Sequence, residues 1–270
     1  AWRTSHDRSE TGSAGRAGLC AALRGGEVPG ASDGLASLAE SQGPEVAIAA
    51  LRALAHKAAA STFSRVQALA SRGASDVRHA AVLALAHQDA ERTRLLAARF
   101  ASDPDSLVRA AAAEAATVLG DSAVPCSLLA DPVAAVRAAA IRTLGAVATD
   151  AEVLRPLLVA AGDPESEVRV AADAASTALA ARREPESARL AVSDRDPVIR
   201  RRATERTAPT STAALLTALA DPDAHVRVAA ADRFRAGRSL DARCTTALVS
   251  AALDTDPAVR IAAVLALSES

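Results

Sequence analysis

The chain has 270 residues and a formal net charge of −1; 50% of its residues are hydrophobic and 1% are aromatic. Balanced charge gives no long-range field that would attract nucleic acid or a membrane surface, and few rings means few of the usual interface anchors. No apolar stretch of about 18 residues is free of charge, so we expect no membrane span. Cys20, Cys126 and Cys244 lie far apart without CxxC spacing, which predicts buried thiols in a reducing, cytoplasmic compartment.

The N-terminal segment is rich in glycine, serine, threonine and charge. This composition predicts a loose tail over residues 1–32, with a short helix over residues 16–24 that Gly25-Gly26 closes. Trp2 lies in this tail, either exposed or folded back over the first repeat. From residue 33 to residue 270 we expect an array of repeats.

One sequence pattern organises this second part. In its clearest copy, Asp103 can cap a helix through its side-chain oxygen, and Pro104 takes the first helical position, where its missing N–H costs nothing. Val108-Arg109 follow, and Gly120 is predicted to end the helix. The pattern returns at residues 131–137, 163–169 and 221–227, and with the proline shifted behind a second aspartate at residues 194–200 and 254–260.

The arginine column of this pattern sets a period. With two weaker copies included, its anchors fall at 47, 78, 109, 137, 169, 200, 227 and 260, so the steps run from 27 residues (200 to 227) to 33 residues (227 to 260). A period of this size indicates stacked helical repeats. An alanine stands three residues after every anchor, namely Ala50, Ala81, Ala112, Ala140, Ala172, Ala203, Ala230 and Ala263.

Each repeat is predicted to be two antiparallel helices, of which the second starts at the pattern. We expect second helices to begin near residues 44, 75, 104, 132, 164, 196, 222 and 256, and short first helices over 122–130 and 210–220, where the period is short. Small alanine side chains let neighbouring helices approach closely. The predicted fold class is therefore all-α, a right-handed α-solenoid of about eight antiparallel helix pairs.

The pattern D-P-x-x-x-V-R-x-x-A resembles the HEAT repeats, and its period is similar to the short bacterial form named after phycobilisome lyases. The resemblance covers residues 33–270 and implies that the second helices line a concave face. The first two copies depart from the pattern, because Ala47 replaces the arginine and Ser41 and Arg72 replace the aspartate. The resemblance also implies a hydrogen-bonded ladder between adjacent repeats, made of Asp103, Arg109, Asp131, Arg137, Asp163, Arg169, Asp194, Arg200, Asp221, Arg227, Asp254 and Arg260.

No catalytic or metal-binding motif stands out in the sequence. None of the five histidines belongs to an HExxH motif or precedes a glutamate, and no GxxxxGK[ST] phosphate loop occurs. His79 and His87 lie eight residues apart on one predicted helix, and we interpret them as surface or packed side chains rather than a metal pair. The sequence predicts a protein without catalytic activity, cofactor or metal.

Two alternatives to a protein-binding role stay open. Arginines cluster at residues 195–206 and 233–243, yet they alternate with acidic residues, which is typical of a solvated, salt-bridged face. Base-stacking aromatics are missing, so the sequence disfavours nucleic acid while leaving a phosphate-backbone clamp as an alternative. The family resemblance implies a second alternative, an accessory lyase-like protein.

The favoured prediction is a protein–protein interaction scaffold. A solenoid offers a large preformed surface, so a partner segment can dock without ordering the scaffold. We expect a polar or acidic protein or peptide to bind the concave face between Arg109 and Arg227. Beyond the ladder, the candidate contacts are Arg201, Arg202 and Arg206.

Overall fold

The computed structural model describes residues 30–41, 43–57, 60–149, 151–237 and 240–269. Every regular element in these ranges is a helix, which confirms the all-α prediction. Trp2, Cys20, the helix predicted over 16–24 and nearly all of the predicted tail lie outside the described residues. The chain divides into two compact units, Ala1–Val147 (unit 1) and Ala148–Ser270 (unit 2).

Unit 1 consists of first and second helices in alternation. The second helices are α2, α4, α6 and α8, and the first helix α7 is short because it passes into a 3-10 turn at Leu128–Ala130. The bounds are α1 Ala31–Ser41, α2 Pro44–Ala55, α3 Phe63–Arg72, α4 Ser75–Gln88, α5 Ala90–Ala101, α6 Ser106–Leu119, α7 Ala123–Ser127 and α8 Ala134–Val147.

Unit 2 continues the alternation. Its second helices are α10, α12, α14 and α16, and its first helix α13 has only 8 residues, where the period of the sequence is short. The bounds are α9 Leu154–Ala160, α10 Ser166–Arg182, α11 Glu184–Ser193, α12 Pro197–Arg206, α13 Thr212–Leu219, α14 Ala224–Gly237, α15 Ala242–Ala251 and α16 Pro257–Ser268.

The second helices bury the columns that define the repeat. Val108, Val136, Val168 and Val226 are each 0% exposed, and every alanine of the alanine column is at most 2% exposed. A methyl side chain at each crossing lets the backbones of adjacent helices pack closely without a void. The valine and alanine columns are therefore part of the core of each unit, together with leucine and phenylalanine side chains from first and second helices.

The predicted cap of the clearest copy is wrong by two residues. Asp103 accepts the backbone N–H of Asp105 at 2.9 Å, which makes a turn, and Asp105 then caps α6 by accepting the N–H of Leu107 at 2.9 Å. Pro104 lies in the turn, because a side chain that bonds two residues ahead competes with helix formation. Where the proline is shifted, the helix does begin at proline, as at Pro197 behind the cap Asp196.

Gly120 ends α6 in the left-handed conformation, with φ of 63°, as predicted. A Cβ at this position would meet no atom within 4 Å, so only the backbone conformation opposes a side chain. We expect Gly120→Ala to lower the free energy of unfolding by about 1 kcal/mol. Gly43→Ala is the matched control, since Gly43 has φ of −63° and equally open space; urea unfolding that showed equal effects for the two variants would contradict this assignment.

Candidate functional site: the second-helix surface

In unit 1 the predicted ladder arginine Arg109 and the arginine of a weaker copy, Arg78, reach carboxylates of the following turn. Arg109 donates from Nε and Nη2 to the two oxygens of Asp131, at 2.7 and 2.9 Å. Its Nη1 donates to the backbone carbonyls of Asp103 and Pro104, at 2.9 and 3.1 Å. Arg78, which the sequence analysis counted as a weaker copy, donates to Asp103 at 2.6 Å. Each arginine thus ties its own turn to the turn of the next repeat.

Unit 2 repeats this geometry at two steps, where a step is the passage from one second helix to the next. Arg200 donates from Nε and Nη2 to Asp221 at 2.7 and 2.9 Å, and Arg227 donates in the same way to Asp254 at 2.8 and 2.9 Å. Bidentate pairing of this kind fixes both the distance and the orientation of the two groups. It therefore sets how far each second helix is displaced from the next.

The remaining ladder residues also take part in hydrogen bonds. Arg137, Arg169 and Arg260 each bond through Nη1 to the carbonyls of their own turn, at 2.6–3.3 Å. Asp163 accepts the backbone N–H of Glu165 at 2.9 Å. Asp194 does not meet Arg169; it accepts a 2.8 Å hydrogen bond from Arg155, which lies on the first helix α9.

The ion pairs lower the pKa of the carboxylates. The hydrogen bond from Arg109 is the largest cause at Asp131 and lowers its pKa below the ordinary value. At Asp221 burial alone would raise the pKa, but hydrogen bonds from Arg200 and from the backbone of Asp223 outweigh it, and the net pKa is lowered. These carboxylates stay ionised, so the arginines keep their partners at neutral pH.

The three predicted contact arginines behave differently from one another. Arg201 is half-buried, with 40% of its side chain accessible and Glu205 at 3.7 Å. Arg202 instead turns inward and donates to the carbonyl of Leu158 at 2.6 Å. Arg206 bonds Ser176 and Asp173 at 2.8 and 2.6 Å. Arg202 and Arg206 therefore hold α12 to the preceding repeat, whereas 40% of the Arg201 side chain is accessible to solvent.

Arg201 lies between two adjoining depressions on the second helices, which we call the α12–α14 groove. Their volumes are about 260 and 310 Å³. Basic, acidic and aliphatic side chains alternate along this groove, so it suits a partner that is polar with some apolar contacts. The groove is lined by Pro197, Val198, Arg201, Glu205, Asp223, His225, Val228, Ala229, Asp232 and Arg233.

Sequence reasoning missed two arginines that shape this surface. Arg155 binds Asp194 although 39 residues separate them, and Arg233 donates to the carbonyl of Thr207 at 2.8 Å across 26 residues. Neither residue belongs to the repeat pattern, so the repeat positions of the sequence do not indicate a role for them. Their partners become visible only when the repeats are stacked.

The part of the chain that the structure describes contains no group of three or more His, Cys, Asp or Glu side chains placed to hold a metal ion. His79, on α4, lies 3.7 Å from Glu114 rather than against His87. No helix among the described residues is long and apolar enough to cross a bilayer.

Comparison with known proteins gives a family match to part of the chain. A family model described as HEAT repeats matches residues 32–117, while no curated protein matches the chain. Among solved structures, a chain of the structure in which Kap95p binds RanGDP is 15% identical, with a TM-score of 0.51 over 92% of this chain and 41% of that chain. This chain therefore spans less than half the length of that relative.

Two further structures are more distant in shape. The complex of CpcE and CpcF, the phycocyanin lyase of Nostoc sp. PCC7120, is 17% identical with a TM-score of 0.45 over 88% of this chain and 86% of that chain. YibA of E. coli is 20% identical with a TM-score of 0.37 over 68% of this chain and 73% of that chain. Residues 32–117 thus match the HEAT-repeat model, and the described residues that follow them also form helix pairs.

Proposed function

We propose that the chain is a non-catalytic protein-binding module, and that a segment of a partner protein lies in the α12–α14 groove. The observation that carries this proposal is the exposure of Arg201 beside His225 in a groove whose walls are held by bidentate ion pairs. Because the walls are fixed before binding, little conformational entropy is lost when a segment docks.

The lining of the groove favours a polar peptide with occasional aliphatic residues. Val198 is 44% exposed and gives an apolar contact next to the guanidinium of Arg201. Arginine at the centre of such a surface is a common source of binding energy, since it combines charge, several donors and an apolar stem. A partner carboxylate can replace Glu205, which lies 3.7 Å from Arg201 and is itself exposed.

The likeness to the Kap95p structure supports a binding role at the level of fold. In that structure Kap95p binds a protein, RanGDP. The phosphate-clamp alternative has weaker support, because Arg202, Arg206 and Arg233 of the basic cluster donate to carbonyls and side chains within unit 2. A clamp needs several free cations along one path. The lyase-like alternative rests on the family resemblance alone.

A charge reversal tests the groove. Peptides selected from a random display library on the full chain should bind Arg201→Glu at least about tenfold more weakly than wild type, because the variant removes a central contact and repels acidic residues. Arg243→Glu is the matched control, since Arg243 is exposed on the first helix α15. Fluorescence anisotropy with labelled peptides gives both affinities; a failure to select any peptide, or equal affinities for the two variants, would overturn the proposal.

A further inference from the structure

The step between α10 and α12 differs from the other steps at one residue. The position four residues after a ladder arginine is buried in α6, α8 and α14, where Ala113, Ile141 and Ala231 are each 0% exposed. In α10 this position is Asp173, whose side chain is 61% exposed. A carboxylate cannot enter the apolar contact without a large desolvation cost, so α12 does not cover this part of α10.

The ladder is interrupted at the same step. Asp194 would be the partner of Arg169, but its carboxylate is engaged by Arg155 at 2.8 Å and is only 6% exposed. On the other side, Arg206 of α12 donates to Asp173 at 2.6 Å across the uncovered part of α10, which we call the opening. Arg155, Arg206 and Arg202, which donates to the carbonyl of Leu158, thus connect the two repeats, and none of these connections uses Arg169.

Arg169 nevertheless keeps the orientation of a ladder arginine. Its Nη1 donates to the carbonyls of Asp163 and Pro164, at 2.8 and 2.6 Å, as the Nη1 of Arg200 does in its own turn. In Arg200 the remaining Nε and Nη2 donors bind Asp221. In Arg169 these two donors have no acceptor among the residues that the structure describes, although the Nη1 hydrogen bonds hold the guanidinium in the same way.

An exposed aliphatic side chain follows Arg169 in the sequence. Val170 is 69% exposed, whereas Val228, at the same position of α14, is partly buried. Val170 also occupies the position that Arg201 has on α12, where it lines the α12–α14 groove. The guanidinium of Arg169 and the side chain of Val170 therefore adjoin at the opening. They extend the α12–α14 groove, to which the proposed function assigns the partner.

We propose that the opening between α10 and α12 is a subsite for an acidic side chain of the bound peptide, with an aliphatic residue of the same peptide against Val170. The peptide carboxylate takes the place that Asp221 and Asp254 occupy at intact steps, accepting from Nε and Nη2 of Arg169. This inference rests on the proposed function, and it specifies the chemistry of the partner as an acidic–aliphatic sequence.

The test uses the peptides selected on the full chain. Each selected peptide is also made in versions in which a single Glu or Asp is replaced by Gln or Asn. The affinity of every version is measured for the wild-type chain and for Arg169→Gln. We expect that replacing one particular carboxylate of the peptide weakens its binding to wild type about tenfold or more. Replacing the same carboxylate should not change the affinity of the peptide for Arg169→Gln. Arg260→Gln is the matched control, since Arg260 makes the same two backbone hydrogen bonds at another site.

The outcomes separate this inference from the function on which it rests. Peptide binding that is lost in Arg201→Glu but unchanged in Arg169→Gln would overturn the subsite alone. A library that yields no peptide would overturn the function and the subsite together. Arg169→Lys checks the geometry, because it keeps the charge without the bidentate fork; it should bind more weakly than wild type, and full affinity in this variant would also overturn the subsite.

Discussion

Replacing Asp131 by alanine is expected to lower the free energy of unfolding by about 3 kcal/mol. The side chains of Asp131 and Arg109 are only 4% and 13% exposed, so the substitution leaves a largely buried guanidinium without its carboxylate. It also removes the acceptor for the backbone N–H of Val133, at 2.9 Å. Urea unfolding followed by circular dichroism measures the effect.

Two comparisons identify its cause. Arg260→Gln should change the free energy of unfolding by less than about 0.5 kcal/mol, because no described carboxylate pairs with Arg260 and exposed polar groups contribute little. The lowered pKa of Asp131 means that its stabilisation is present above the unfolded-state pKa and is lost as pH falls through the folded-state pKa. In Asp131→Asn the loss of stability below about pH 4 should therefore be smaller than in wild type.

Replacing Ala112 by leucine is the second change with a large expected effect, a loss of about 2–3 kcal/mol. Ala112 is 2% exposed in α6, whose neighbours α4 and α8 pack against it. An isobutyl group cannot fit a close-packed helix contact without moving the backbone or adopting a strained rotamer. Thermal and urea unfolding measure the loss.

Ala98→Leu provides the matched control for this substitution. Ala98 is exposed on the first helix α5, and leucine is nearly as good a helix former as alanine. We expect its unfolding midpoint to stay close to that of wild type. Equal destabilisation by Ala98→Leu and Ala112→Leu would show that the alanine column does not set the spacing of the helices.

The sequence was most informative where one requirement recurs in every repeat. Valine and alanine columns must be buried at each crossing of second helices, so the residues that satisfy them repeat at a fixed period. Capping was less predictable, because Asp103 and Asp105 are both suitable caps and the choice between them depends on the turn around Pro104. Local propensity alone does not separate these two starts.

The site was predictable only in part. Neighbouring arginines such as Arg201, Arg202 and Arg206 point in different directions on a helix, and their partners lie up to 44 residues away, so the sequence could not assign them to the fold or to solvent. One signal was present and overlooked. Asp173 interrupts a position that is apolar in α6, α8 and α14, which predicts a defective contact at that step.

Bidentate ion pairs connect successive second helices of unit 2 except at the step from α10 to α12. Double-mutant cycles measure this directly, with Arg200→Gln and Asp221→Asn at an intact step and Arg169→Gln and Asp194→Asn at the interrupted one. We expect a coupling energy of about 2 kcal/mol between Arg200 and Asp221, and a value near zero between Arg169 and Asp194. Equal coupling energies at the two steps would contradict the account.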